Sequence, residues 1–238
     1  MKLLATIAIL ASVAPAAPPP AFEVASIKPN KSGDGNSSFT TTEGSIHMRN
    51  VTPRILLEHA FNVKDYNLNA PSWVDDLHFD IVAKAPGEVK DAEMRLMLQS
   101  LLAERFQLKM HRESKEMTAY ALLPAKGGFK LKPVQGDNYS LNFTVGGGKA
   151  KATGKQASMA NLSDYLSGGA LDHPVVDETG IQGVYDFTLE WSPEQNVAEN
   201  GPSLFTALTE QLGLRLEKRK LPVSIVVVDS MNQTPTEN

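Results

Sequence analysis

The feature that most constrains this chain is that it matches itself. Ile27-Lys28-Pro29 recurs as Leu131-Lys132-Pro133 and Phe39-Thr40 recurs as Phe143-Thr144, in both cases 104 residues further on. Past Glu43 the offset becomes 106, the increase that two extra residues in the run Gly146-Gly147-Gly148 produce, and it then persists. Phe79-Asp80-Ile81 meets Tyr185-Asp186-Phe187, and Leu98, Leu102, Glu104 and Phe106 meet Leu204, Leu208, Glu210 and Leu212. Single apolar matches are cheap, but one offset held through a succession of element types argues for a duplicated unit. The two copies span residues 22–125 and 126–233.

Each copy reads as strand, hairpin, helix, strand, helix, hairpin. Phe22 to Ile27 and Phe129 to Leu131 are short extended openings. Ser38 to Thr42 turns into Ser45 to Arg49, and Asn142 to Val145 turns through the glycines into Ala150 to Thr153. Thr52 caps a helix that tolerates Pro53 in its first turn, and Ser158 caps its counterpart. Strands at Phe79 to Ala83 and Tyr185 to Trp191 lead to a second helix. Met94, Met97, Leu98, Leu101, Leu102 and Phe106 stripe that helix in one copy, and Leu204, Phe205, Leu208 and Leu212 do so in the other. Two closing strands are expected per copy, Leu108 to His111 with Thr118 to Leu123, and Leu214 to Glu217 with Val223 to Val228. The last is apolar enough to be a central strand. The fold class is therefore α+β, two related units with a mainly antiparallel sheet and helices on one face.

Outside the copies the sequence carries processing signals. Lys2, the apolar stretch Leu3 to Val13 and Ala14-Pro15-Ala16 read as a signal peptide over residues 1–16. A stretch of eleven residues is too short to cross a bilayer, so no integral membrane span is expected after cleavage. A proline-rich leader at 17–21 follows, and an insertion at 196–202 and a tail at 234–238 are expected to be flexible. Export places the mature protein in the periplasm or outside the cell. The absence of cysteine removes thiol nucleophiles, disulfides and zinc-thiolate sites. A net charge of −4 gives no basic surface for nucleic acid.

Chemical motifs are sparse. No Gly-x-Ser-x-Gly, Ser-x-x-Lys or His-Glu-x-x-His pattern occurs, and Gly146-Gly147-Gly148-Lys149 lacks the spacing of a phosphate loop. No catalytic residue, metal ligand or cofactor is assigned. The densest acid-imidazole cluster is Asp75, Asp76, His78 and Asp80, in which alternate positions share one face of a strand. A solvated, structural role outweighs a hydrolytic or metal-assisted one there, because such ligands need further partners. Asp80 alone has a carboxylate counterpart, Asp186, and an aspartate at this point in both copies suggests a backbone-capping bond. Asp172, His173, Asp177 and Glu178 form a second group that reads mainly as a surface loop. Trp73 and Trp191 lie at element ends, where core packing competes with a binding role. Trp73, Asp76, His78, Asp80, His173 and Trp191 are the candidate binding residues.

Phe22-Glu23-Val24-Ala25-Ser26-Ile27-Lys28-Pro29-Asn30 after an export signal, Gly183-Val184-Tyr185-Asp186-Phe187-Thr188-Leu189-Glu190-Trp191, and the ending from Leu212-Gly213-Leu214 to Asp229 resemble the soil-associated exported protein family of unknown function. That family is known from paralogous sets in acidobacterial-type soil bacteria. The resemblance implies no established activity. It does imply an extracytoplasmic sensing or binding role, since related domains are sometimes joined to antibiotic-sensor-type metallopeptidases. The expectation is a non-catalytic, envelope-associated binding module whose partner is an envelope protein, a peptide or a small ligand. The alternatives are a hydrolase using residues 75 to 80 and an envelope scaffold.

Overall fold

The computed structural model describes residues 18–33, 35–42, 44–193 and 201–236. The expected signal at 1–16 lies outside the described residues, as do residue 17 of the leader, most of the insertion and the last two residues of the tail. In chain order the protein forms β1 (Val24–Pro29), β2 (Ser38–Thr42), β3 (Ser45–Val51), α1 (Pro53–Phe61), β4 (Leu68–Asn69), β5 (Phe79–Lys84), α2 (Asp91–Arg105) and β6 (Lys109–Pro124). Then come β7 (Pro133–Val134), β8 (Ser140–Gly146), β9 (Lys149–Ala157), α3 (Met159–Tyr165), β10 (Val175–Asp177), β11 (Val184–Trp191), α4 (Leu204–Ala207) and β12 (Leu214–Ser230). Among the described residues these four helices and twelve strands, in three mostly antiparallel sheets, make the chain α+β.

Residue contacts divide the chain into two compact units. The first holds the described residues up to Val63, Ala70–Met110, and those from Val228 onward; the second holds Lys64–Asn69 and His111–Val227. These units are not the sequence copies: residues 64–69 and 111–125 of the first copy belong to the second unit, and residues 228–233 of the second copy to the first.

In the first unit an antiparallel sheet runs β1-β5-β3-β2. Alternation along β3 and β5 buries Ile46 and Met48 with Phe79, Ile81 and Ala83. Thr52 begins α1 by accepting the Ile55 N–H at 3.4 Å, and Asn62 ends it in the left-handed region at φ 50°. On α2 the buried stripe Met94, Met97, Leu98, Leu101 and Leu102 has helical spacing, with Asp91 and Glu93 at the N-terminal end and Arg105 at the other, complementing the helix dipole. Each such leucine contributes about 1.5–3 kcal/mol through burial. Phe106, just past the helix, meets Phe79 edge-on at 5.4 Å. The register of β3 against β5 slips between Met48 and Val51, leaving Asn50 at φ 54°. Asp80 Oδ1 holds that bulge, accepting the Asn50 N–H at 2.9 Å and Asn30 Nδ2 at 2.8 Å.

The second unit has an antiparallel sheet in the order β7-β11-β9-β8, and a second sheet in the order β10-β6-β12-β4 in which β10 and β4 pair in parallel with their neighbours. The register of β9 against β11 also slips, between Tyr185 and Phe187, with Gln156 at φ 47°. Asp186 Oδ1 accepts the Gln156 N–H at 3.0 Å. Asp80 and Asp186 thus make the backbone-capping bond expected of them. Ser158 and Asn161 form a reciprocal capping box on α3, Ser203 caps α4, and a wider π turn continues each helix, to Ala170 and to Leu212. Tyr120 and Leu122 of β6 face one apolar cluster and Ala119 and Ala121 face another, as period-two alternation requires.

Three local expectations are corrected. Each pair of closing strands is one long strand, β6 or β12. Arg112 to Glu116 and Glu217 to Lys220 are exposed, charged stretches with no glycine, asparagine or aspartate to turn the chain, so polarity alone had suggested a break. The opening strand of the second copy pairs at Pro133–Val134 and not at Phe129 to Leu131. The stripe Leu204 to Leu212 is only partly α-helical. The apolar run Val223 to Val228 does lie on an inner strand, β12, between β6 and β4.

Candidate functional site

Four of the six candidate residues fall in the first unit and two in the second. Trp73 is half-buried in a 3-10 turn at Ser72–Asp75, and Asp76, exposed, closes that turn with its N–H donating to the Trp73 carbonyl at 3.1 Å. The half-buried His78 offers its carbonyl to the Asn30 N–H at 2.8 Å. Arg54 grips Asp75 through Nε and Nη2 at 2.5 and 2.9 Å and holds its carboxyl below the usual range. The bonds from Asn30 and then Asn50 do the same to Asp80. Among the described residues no three histidine, aspartate or glutamate side chains are grouped so as to hold a metal ion.

In the second unit, loop residues Asp172 and His173 meet two side chains from long strands. Tyr120 Oη donates to Asp172 Oδ1 at 3.2 Å, and Lys218 Nζ lies 3.3 Å from Oδ2. His173 Nδ1 is 2.8 Å from the same oxygen, close enough to pair but at too poor an angle for a hydrogen bond. His173, then Lys218 and Tyr120, pull the Asp172 carboxyl down to about 2. Asp177 instead accepts the N–H and hydroxyl of Thr179 at 2.9 and 2.7 Å, and Glu178 pairs with Arg219. This group locks a loop, and none of its four acidic and imidazole side chains lines the cleft or the cavity described below.

Trp191 lies elsewhere in this unit, packed into the core at 6% exposed and lining a cleft of about 670 Å³. The sheet supplies Phe143 and Val145 from β8 and Trp191 from the end of β11; α3 supplies Asp164 and Tyr165, and the first turn of α4 supplies Phe205. Phe143 stacks on Trp191 at 5.8 Å with the rings 24° apart, and Tyr165 leans on Phe143 at 5.8 Å. Phe143 and Phe205 remain 49% and 38% exposed, so among the described residues part of each ring's apolar surface is uncovered. At one side Lys64 reaches past Gly168 towards Asp164. Asp164 keeps a solvent-exposed face, yet the protein around its carboxyl desolvates it and raises its pKa; Lys64 opposes the rise. Burial pushes the Tyr165 phenol up to about 12, so it is a neutral hydrogen-bonding group at physiological pH. The Ser192 hydroxyl, in the cleft wall, is buried without a hydrogen-bond partner among the described residues.

A cavity of equal volume in the first unit is lined by Glu23, Ser45, His47 and the turn Pro86 to Glu88. Among the described residues it has no tryptophan, tyrosine or phenylalanine, and so little to grip an apolar ligand. Of the candidates named from sequence, only Trp191 enters the aromatic cleft. Lys64, Phe143, Asp164, Tyr165 and Phe205 were not singled out as site residues. The one available signal was the aromatic in the uncharged strand Ser140 to Gly146, next to a tight glycine turn.

The family model described as "Protein of unknown function (DUF3738)" matches residues 54–231, and the chain belongs to that family. No curated protein and no solved structure matches it. No helix among the described residues is long and apolar enough to cross a membrane.

Proposed function

We propose that the chain is an exported, non-catalytic binding module that takes a flat, amphipathic ligand into the aromatic cleft of its second unit. The observation that carries this reading is the convergence of Phe143, Tyr165, Trp191 and Phe205 around about 670 Å³, with Asp164 and Lys64 to one side. Ligand clefts have this size and this mixture of apolar wall and a few polar groups. Ring stacking contributes about 0.5–1.5 kcal/mol per contact beyond area burial. The hydrolytic alternative draws on Asp75, Asp76, His78 and Asp80, of which Asp75 and Asp80 are already engaged by Arg54 and by the bulge at Asn50. Titrating the mature protein with N-acetyl-tyrosinamide, followed by ligand-observed NMR, should give saturable binding that weakens about tenfold, or about 1.4 kcal/mol, in Phe205→Ala and Tyr165→Ala. Non-saturable contact, unchanged by either substitution, would overturn the reading.

Export and duplication belong to the same proposal. Export rests on Lys2, Leu3 to Val13 and Ala14-Pro15-Ala16, and amino-terminal sequencing of exported material should begin at Ala17. Full-length protein retained in the cytoplasm would contradict it. Duplication is supported by sheets that share one strand order, β1-β5-β3-β2 and β7-β11-β9-β8. Left-handed Asn50 and Gln156, aspartates 80 and 186, and caps Thr52 and Ser158 all recur at the offset of 106.

A further inference from the structure

We infer that the outer edge of β8 receives an extended peptide in antiparallel register, whose alternate aromatic side chains enter the cleft. The inference rests on the binding reading above and names its partner class. Among the described residues β8 is the last strand in its sheet, paired on one side only, with β9. Natural sheets protect such edges with charge, proline or a bulge, and Ser140-Leu141-Asn142-Phe143-Thr144-Val145-Gly146 contains none of these. Phe143 and Val145 stand exposed on it.

The direction of the free backbone groups follows from the hairpin. Gly146 pairs with Lys149 across a two-residue turn, Gly147-Gly148, both with positive φ, at 58° and 75°. The closing pair of such a turn is hydrogen-bonded, and bonded pairs alternate from there. Thr144 and Asn142 therefore bond to β9, while the N–H and C=O groups of Val145, Phe143 and Leu141 point to the open edge. On the cleft side, Val145, Phe143 and Leu141 lie opposite Ala150, Ala152 and Gly154, all buried. Phe143 and Val145 themselves line the cleft. The residues with free backbone groups are thus the residues whose side chains face the cleft. An antiparallel strand bonded to them places its opposing side chains on that same face, beside Phe143 and over Trp191. Since the strand carries no charge and the cleft is mainly ring surface, the occupant is a peptide with aromatic residues at alternate positions. A terminal hydroxyl on such a ring would suit a cleft that holds Asp164, Lys64 and a Ser192 hydroxyl with no partner among the described residues.

The test uses the mature protein carrying Trp73→Phe, so that Trp191 is the sole tryptophan. The probes are acetyl-Thr-Tyr-Thr-Tyr-Thr-Tyr-Thr-amide, the same peptide N-methylated on its tyrosines, the same peptide N-methylated on its threonines, and N-acetyl-tyrosinamide. Tyrosine methylation removes the donors that would face β8; threonine methylation removes those facing away. The expected result is a saturable change in Trp191 emission, weakened at least tenfold by tyrosine methylation and less than threefold by threonine methylation. If both methylated peptides bind as the parent does, or only N-acetyl-tyrosinamide binds, strand addition is wrong and the cleft reading stands. If neither the peptides nor N-acetyl-tyrosinamide binds, both fall. Loss on threonine methylation instead overturns the antiparallel register, and a sedimenting dimer that excludes the peptide assigns the edge to a second copy.

Discussion

Asp80→Ala tests whether an aspartate holds the bulge of the first sheet. In the native fold one carboxylate oxygen accepts the Asn50 N–H at 2.9 Å and Asn30 Nδ2 at 2.8 Å. Asn50 is buried and held at φ 54°, so its N–H loses its acceptor when the carboxylate is removed. A buried donor left unsatisfied costs about 1–3 kcal/mol, and the second bond adds about 1 kcal/mol. The substitution should therefore cost about 2–4 kcal/mol, and Asp80→Asn about half as much, because an amide oxygen still accepts without charge. Trp73 lies in the first unit and Trp191 in the second, so Trp191→Phe leaves a fluorophore reporting on the first. Urea unfolding in that background should show the lower midpoint. The pH dependence has a definite sign: the folded carboxyl lies below its unfolded value, so its contribution is full at neutral pH and is lost as pH falls through the folded value. Wild-type stability should decline below about pH 4, and less steeply in Asp80→Asn. A change in stability under about 0.5 kcal/mol, the range of ordinary surface substitutions, would refute the reasoning.

Other consequences can be measured separately. Gly213→Ala should destabilise the second unit by about 2–4 kcal/mol in urea, because φ is 69° and a Cβ would be driven into the Gly128 carbonyl. Ser158→Ala should cost about 1 kcal/mol and Thr52→Ala less, since the caps accept at 3.1 and 3.4 Å; equal losses would contradict the distance argument. Ultraviolet titration should show a tyrosine ionising at about 12, and Tyr165→Phe should remove it. In His173→Ala the Asp172 carboxyl should titrate above about 2 by NMR, and no movement would dismiss the contact.

What the sequence revealed depended on how far apart the interacting residues are. Glycines 146 to 148 announced their turn, Thr52 and Ser158 their helix starts, and the Asp80 and Asp186 pair its structural role, because each signal is local or doubled at one offset. The long β6 and β12 were misdivided because exposed charge resembles a loop until a neighbouring strand supplies hydrogen bonds. The cleft was hidden for another reason. Lys64, Phe143, Tyr165 and Phe205 come from separate parts of the chain, and each alone looks like a surface lysine or a core ring. Only the fold of the second unit brings them together.

The most direct measurement is amide hydrogen exchange along β8, with and without the alternating threonine-tyrosine peptide. In free protein the Asn142 and Thr144 amides should be protected while those of Leu141, Phe143 and Val145 exchange fast. Saturating peptide should slow these three and leave the other two unchanged. Equal protection of all five before peptide is added, or no slowing of the outward three afterwards, would contradict the account.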